Sequence, residues 1–329
     1  MLTALDRRVA NVWARRILQR DRGSPRIAVV GGCQAFGVAY GVRLLLPQAL
    51  VECFAVEPRS LTSVEALAQI LKAYDFVFCS EFAPGFLRGG DWNALRAAVA
   101  TTALPTVVFA GFHPDFIYVH KANDSTRNVL GPMGPYHSAI AIFAFRSGLT
   151  EPQALTLFDA AVYQRLGYFQ VWDEASKHLL AQSKAAGIDL AQDFVRWTRR
   201  GCFMHTMNHP KAHVLFDVAR AALARAGIKT PELDFDEFAF DPLAREFVLP
   251  LYPSLGERLG LRGSTLFRQA QPGRGGRVLS LADFVAESYR AYRRLPRAML
   301  TSPRVDALLA DKELSGALGA FARGRAVPS

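Results

Sequence analysis

Four apolar runs alternate with amphipathic stretches over the first 112 residues of the chain. They are RIAVV (26–30), LVECFAV (50–56), DFVFCSE (75–81) and PTVVFAGF (105–112). Near-continuous hydrophobicity predicts strands covered on both faces. Apolar positions at helical spacing predict helices over about 34–46, 61–74 and 91–103. This alternation predicts an α/β fold, a parallel sheet with flanking helices in the N-terminal part. After GPMGPYHS (131–138) helical periodicity dominates to about residue 225, and strands are hard to find. The stretch 251–277 is rich in Gly, Pro and Arg and reads as an irregular loop, with the character of a lid. Two more helical patterns follow, at about 280–293 and 303–322. The expected organisation is an α/β part over 1–137 and a mainly helical part over 138–329, packed on it.

Residues 4–20 set Leu5, Val9, Val12, Trp13 and Ile17 on one helical face and arginines on the other. Two readings stand. The helix packs on the domain, as a tryptophan among valines suggests, or its basic face makes weak contact with a membrane surface. Charge sharpens this only slightly. The chain carries a net +10, with arginines clustered near the start and again at Arg290, Arg293, Arg294 and Arg297. Such an excess favours polyanions, anionic lipid surfaces or phosphate-bearing small molecules, without choosing between them. Four scattered cysteines with no C-x-x-C pair argue against a disulfide framework and a cysteine zinc site, and fit a reducing compartment. The first 20 residues lack the apolar core of a signal peptide, and the longest apolar run, Ala139 to Phe145, is too short to cross a bilayer. A cytoplasmic protein is expected.

Chemistry concentrates where strands end, because ligands of parallel sheets lie at the carboxyl ends of the strands. The first strand ends in GGCQ (31–34). It matches neither the dinucleotide fingerprint nor a P-loop. It combines a glycine-permitted turn with a cysteine at a helix start, where the helix dipole favours a thiolate and free amides favour a phosphate or oxyanion. Cys33 is therefore a reactive thiol or a small buried residue, and Gly32 and Gln34 sit beside it as candidate ligand contacts. After the fourth strand, FHPD (112–115) offers His113 as a base and Asp115 to orient it, the general arrangement of an activated thiol. GPYHS (134–138) places Tyr136 and His137 beside a helix that Ser138 caps, a candidate anion pocket. In CFMHTMNHPKAH (202–213), His205, His209 and His213 are four apart, but Asn208 and Pro210 read as the N-cap region and first helical turn. The histidines then do not share one helical face, and no metal is expected. Asn208 and His209 become ligand contacts at a helix start.

These segments together resemble a family. GGCQ, FHPDFIYV, GPYHSAI, the LF…Y…LGY pattern of 157–168 and FMHTMNHP, in this order, resemble the WcbI-like capsular polysaccharide biosynthesis proteins over about residues 26–225. The family's first motif is more usually Gly-Asn-Cys-Gln, and Gly32 replaces the asparagine. The resemblance implies a coenzyme A-binding acetyltransferase that uses acetyl-CoA as acyl donor and a sugar or glycan precursor as acceptor, with no nucleic-acid partner. It implies Cys33 as the site cysteine and His113 as its histidine. Lys121 and Arg127 are candidate partners for the phosphates of coenzyme A, and surface charge is their other reading.

Two competing functions remain at this level. One is a Gly-Asp-Ser-type esterase with cysteine in place of serine, although no histidine follows His213 to supply the late Asp-x-x-His of such enzymes. The other is a non-catalytic module that binds nucleotide or coenzyme A.

Overall fold

The computed structural model describes residues 3–9, 24–58, 60–82, 84–234, 239–270 and 276–324, with nothing stated of the side chains of 125–127. In chain order the strands are β1 (Arg26–Gly31), β2 (Leu50–Ala55), β3 (Phe76–Ser80), β4 (Thr102–Leu104), β5 (Phe116–Tyr118), β6 (His120–Lys121), β7 (Asp124–Asn128), β8 (Tyr136–Ser138), β9 (Met204–Thr206), β10 (His209–Pro210), β11 (Phe267–Arg268), β12 (Val278–Leu279) and β13 (Leu300–Thr301). The helices are α1 (Gln34–Leu45), α2 (Val64–Leu71), α3 (Trp92–Ala98), α4 (Ala139–Arg146), α5 (Glu151–Thr156), α6 (Ala160–Arg165), α7 (Val171–Ala185), α8 (Ala191–Arg199), α9 (Ala212–Arg225), α10 (Pro253–Arg258), α11 (Leu281–Tyr292), α12 (Pro303–Ala310) and α13 (Lys312–Ala322). They gather into two compact units that interleave along the chain. The first comprises Met1–Val108, Lys177–Phe203 and His209–Leu243, and the second Phe109–Ser176, Met204–Asn208 and Ala244–Ser329. The expected break after residue 137 falls inside the second unit. There β8 pairs antiparallel with β5, with Ile117 opposite His137, and runs straight into α4.

The first unit holds a four-stranded parallel sheet in the order β2-β1-β3-β4. Ile27 of the central strand pairs with Val51 on one side and Phe76 on the other. Strand alternation sends Ala28 and Val30 to one face, where they join Phe54, Val64, Leu67, Leu71 and Leu95 of β2, α2 and α3 in one apolar cluster. Parallel strands need this double cover, because a bare face would leave an apolar run in water. α1 packs against α9. A side chain at Gly37 would meet Leu215, and one at Gly41 would meet Phe216 and Ala219 at 2.8–3.3 Å, so the close approach of the two helices requires glycine. A Cβ at Gly31 would lie 2.1 Å from Ser80 Oγ, so a side chain at the end of β1 would force Ser80 to move.

The fourth strand differs from its expected span. It covers three residues, Thr102–Leu104, and 105–110 carries no strand. Pro105 has no N–H to offer a ladder, and both backbone groups of Val107 are taken by the side-chain amide of Gln34.

The N-terminal segment is helical over 4–9. Thr3 and Asp6 cap it reciprocally, the Asp6 N–H donating to Thr3 Oγ1 and the Thr3 N–H to the Asp6 carboxylate. Leu5 is fully buried in the same apolar cluster, a burial that contributes about 1.5–3 kcal/mol. The packed reading therefore holds for this first turn. Val12, Trp13 and Ile17 lie outside the described residues. The buried Asp6 carboxylate also accepts from Ser60 Oγ, the Leu61 and Thr62 N–H groups and Thr62 Oγ1, at 2.7–3.1 Å. Burial alone would raise its pKa, but these hydrogen bonds outweigh it and hold the carboxyl well below its ordinary value.

In the second unit, α4 is buried from Ala139 to Phe145, and α5, α11 and α12 pack around it. The stretch 251–277, expected as an irregular loop, instead contains α10 and β11. The Ser264 N–H returns to the Leu251 carbonyl at 2.7 Å. Gly263 lies so close to Pro253 that a Cβ would meet its Cα at 2.3 Å. Glycine here serves tight packing, which composition alone reads as mobility. Residues 271–275 lie outside the described residues. The pattern over 303–322 divides into two helices at Asp311, whose carboxylate accepts from the Leu314 N–H and starts α13.

Two outcomes follow from this packing. Gly41→Val forces β-branched bulk between α1 and α9 and is expected to cost about 1–3 kcal/mol, read as a lowered urea midpoint. Asp6 has a depressed folded pKa, so its contribution is complete above its unfolded pKa, about 4, and fades as the pH falls below that. Asp6→Asn is therefore expected to be less stable than the wild-type chain at pH 7, with the gap narrowing below about pH 4. A gap independent of pH would contradict this role.

Candidate functional site

Cys33 lies two residues past the end of β1, at the N-cap of α1, with φ −56° and ψ −31°. β1 is flanked by β2 and β3, so the chain leaves the sheet here at the point where strand order reverses. That switch point is where doubly wound sheets hold their ligands. Cys33 is exposed. Its neighbour Gly32 faces open space, since a Cβ there would meet nothing within 4 Å. Glycine at 32 is thus not a steric requirement of the fold. Cys53 and Cys79 are buried. Burial pushes the Cys53 thiol up to about 12 and the Cys79 thiol further still, so both are held as inert thiols.

Gln34, expected as a ligand contact, is buried and fully engaged with Val107. Its Nε2 donates to the Val107 carbonyl at 2.8 Å and its Oε1 accepts from the Val107 N–H at 3.0 Å. A side-chain amide here replaces one rung of a strand ladder and pins the segment that leaves β4. This internal role corrects the expected ligand role.

His113 and Asp115 belong to the second unit, whereas Cys33 belongs to the first. The His113 ring is buried, between Phe112 and Phe116, at 6.3 and 6.2 Å between ring centroids. Its Nε2 lies 3.2 Å from the Leu249 carbonyl. A carbonyl only accepts, so Nε2 carries a proton. Asp115 does not orient this ring. Its carboxylate, fully buried, accepts from Tyr168 OH at 2.8 Å, Tyr252 OH at 3.0 Å and the Ile140 N–H at 3.1 Å. Burial and the Asp115 charge drive both tyrosine hydroxyls well above their ordinary pKa, so they remain donors. The carboxylate also sits at the N-terminus of α4, where the helix dipole favours an anion. Asp115 is therefore an internal anchor. Tyr252 was not singled out in the sequence. The Leu-Gly-Tyr run ending at Tyr168 is the one signal that touches this cluster.

His137 is sealed in the second unit. Its Nε2 donates to the Val129 carbonyl at 2.9 Å and its Nδ1 accepts from Tyr292 OH at 3.0 Å. Burial lowers its pKa to about 4, so the ring is neutral at pH 7. With both nitrogens engaged internally, it is a structural histidine and leaves no nitrogen for a ligand. Tyr136, also buried, donates to Asn208 Oδ1 at 2.6 Å, and Thr206 Oγ1 donates to the same oxygen at 3.0 Å. Asn208 does not cap a helix. α9 begins at Ala212, after the extended pair His209–Pro210, and its first amide is taken by the Asp241 carboxylate at 3.0 Å. His209 is buried in the first unit and His205 lies in the second. Among the described residues no group of three or more His, Cys, Asp or Glu side chains could hold a metal ion. Lys121 is exposed in β6, and the Arg127 side chain lies outside the described residues.

Comparison with known proteins decides the family. The profile of the polysaccharide biosynthesis enzyme WcbI matches residues 26–231, which covers the parallel sheet, Cys33, His113 and α9. The chain belongs to the WcbI family. A solved structure of WcbI, described as a novel polysaccharide biosynthesis enzyme, superposes with a TM-score of 0.63. It is 18% identical and covers 91% of this chain and 99% of that one. That structure is of the native protein without the disulfide bond between coenzyme A and one of its cysteines. No curated protein matches the chain significantly. Family membership makes this a polysaccharide biosynthesis enzyme, with the WcbI fold extending past the profile into residues 232–329. Among the described residues no helix is long and apolar enough to cross a membrane.

The contrast among the thiols has a direct check. Brief alkylation of the folded protein is expected to modify Cys33 and to leave Cys53 and Cys79 unmodified until denaturant is added, read by peptide mass mapping. Early labelling of Cys53 would contradict the burial described.

Proposed function

We propose that this WcbI-family protein transfers an acetyl group from acetyl-CoA to a sugar hydroxyl of a polysaccharide precursor. One observation carries the reading: the exposed thiol of Cys33 stands at the switch point of a parallel sheet and at a helix start, while two other cysteines are buried and inert. The naming of coenzyme A together with a cysteine in the related WcbI structure supports the same cofactor here.

In this mechanism the Cys33 thiolate attacks the thioester carbonyl. The bond from the acyl carbon to the coenzyme A sulfur breaks, and the coenzyme A thiolate leaves and takes up a proton. Backbone N–H groups at the start of α1 stabilise the oxyanion. The sugar hydroxyl then attacks the acyl-cysteine and gives its proton to a general base, for which His113 is the proposed residue, and the Cys33 thiolate is regenerated. The alternative course omits the acyl-enzyme, with His113 activating the hydroxyl for direct attack on acetyl-CoA. The open approach at Gly32 and the exposed Lys121 are the proposed contacts for coenzyme A, Lys121 pairing with a phosphate.

Mass spectrometry separates the two courses. Incubation with acetyl-CoA alone is expected to add one acetyl mass, on the Cys33 peptide, and Cys33→Ala is expected to remove it. Turnover with a sugar acceptor is expected to fall at least about a thousandfold in Cys33→Ala and about a hundredfold or more in His113→Gln. Full turnover in Cys33→Ala would overturn thiol catalysis and leave direct transfer.

A further inference from the structure

The second unit contains a cavity of about 410 Å³ that the acyl-transfer reading does not use. Its floor is two buried rings, Phe145 and Tyr289, in edge-to-face contact with centroids 5.2 Å apart. Each ring carries a guanidinium. Arg297 Cζ lies 5.4 Å from the Phe145 centroid and Arg293 Cζ 5.7 Å from that of Tyr289. Tyr289 OH donates to the Leu149 carbonyl at 3.2 Å, which ties the floor to the wall. Gly148 adopts φ +75°, and a Cβ built there would come within 3.2 Å of Arg297 Nη1, so the chain makes room for this guanidinium.

A guanidinium held on a ring keeps its in-plane N–H groups directed outward, the geometry that grips phosphate oxygens in pairs. Arg293 shares Glu151 at 2.7 Å, and Arg297 has no carboxylate partner among the described residues. The cavity lining holds two arginines, Arg293 and Arg297, against one acidic side chain, Glu151, and Arg290 and Arg294 are exposed on the same segment. The adjacent helix α5 offers no free first-turn amide at Gln153, because Thr150 and Gln153 close a capping box. Recognition therefore falls to the two arginines. The volume suits a small ligand.

We propose that this cavity binds a phosphate-bearing small molecule, its phosphoryl oxygens held between Arg293 and Arg297 and its organic part lying on Phe145 and Tyr289. The shared chemistry is the phosphate oxyanion, and the source is a sugar phosphate or free pyrophosphate. The inference stands whether or not Cys33 carries an acyl group.

Isothermal titration of the full chain tests it, with glucose 1-phosphate, inorganic pyrophosphate and unphosphorylated glucose as probes. Binding of glucose 1-phosphate with weaker binding of pyrophosphate would identify a sugar phosphate, and the reverse order would identify pyrophosphate. Glucose itself is expected not to bind. Arg297→Glu is expected to weaken binding at least about tenfold with the melting temperature unchanged. Arg297→Lys, which keeps the charge and loses the planar fork, is expected to fall between the two and serves if the glutamate variant does not fold. Saturating coenzyme A is expected to leave the phosphate isotherm unchanged. Failure of both phosphate probes to bind the wild-type chain, unchanged affinity in Arg297→Glu, or displacement by coenzyme A would each overturn a separate phosphate site.

Discussion

The turn that holds Cys33 depends on close approach: a Cβ at residue 31, 37 or 41 would collide with a packed neighbour, which would have to move. Ser80 fills the space beside Gly31, and Leu215, Phe216 and Ala219 fill that beside Gly37 and Gly41. A parallel strand that feeds a helix must lay that helix back on its own sheet. Here the helix is also clamped from outside by α9. Close packing of this kind resists even a single methylene, so the start of α1 is held by steric necessity on both sides. A thiol at such a start takes its position from the close packing of the backbone around it. Gln34 adds the polar half of the same restraint by occupying both backbone groups of Val107.

Much of the first unit was legible because parallel strands announce themselves. RIAVV, LVECFAV and DFVFCSE became β1, β2 and β3 within a residue or so at each end. PTVVFAGF misled for a reason that apolarity cannot express: its ladder groups are satisfied by a side chain 73 residues away. The glycines of 251–277 misled in the opposite sense. Gly256 and Gly263 permit contacts too close for a Cβ, yet composition presents them as loop residues.

The candidate site shows the same division. The placement of Cys33 at a strand-to-helix turn was legible because the end of an apolar run followed by helical spacing has a local signature. Asp115 and His137 looked equally suggestive, and both turned out to be internal. Their partners are Tyr252 and Tyr292, 137 and 155 residues further along the chain. A buried polar group must be satisfied, and the cost of leaving it unpaired outweighs the modest gain of pairing it. A fold with buried carboxylate and imidazole groups therefore needs distant hydroxyls of suitable geometry. Polar residues beside a turn carry the same sequence signal whether they face a ligand or such a hydroxyl. Only the long-range partner separates the two, and no window on the sequence contains it.

The same argument bears on the positive charge. Several arginines spend their charge on carboxylates: Arg146 on Asp306, Arg196 on Asp193, Arg220 on Asp217, Arg277 on Glu287. Exposed pairs of this kind contribute about 1 kcal/mol or less each, so they do not explain why a fold would keep ten excess positive charges. What remains after pairing is a field, and a field acts on ligands and not on the fold. In the second unit part of that remainder is held rather than left loose. Arg293 and Arg297 are propped on aromatic rings, and Gly148 clears space for one of them. A solvated surface charge needs no such support, because a long flexible side chain meets water without help. Propping a guanidinium reduces its freedom before any ligand arrives, which lowers the entropic cost of gripping an anion. Arg26, Arg96, Arg258 and Arg304 also lie over aromatic rings, but Arg293 and Arg297 are supported side by side in the lining of one cavity.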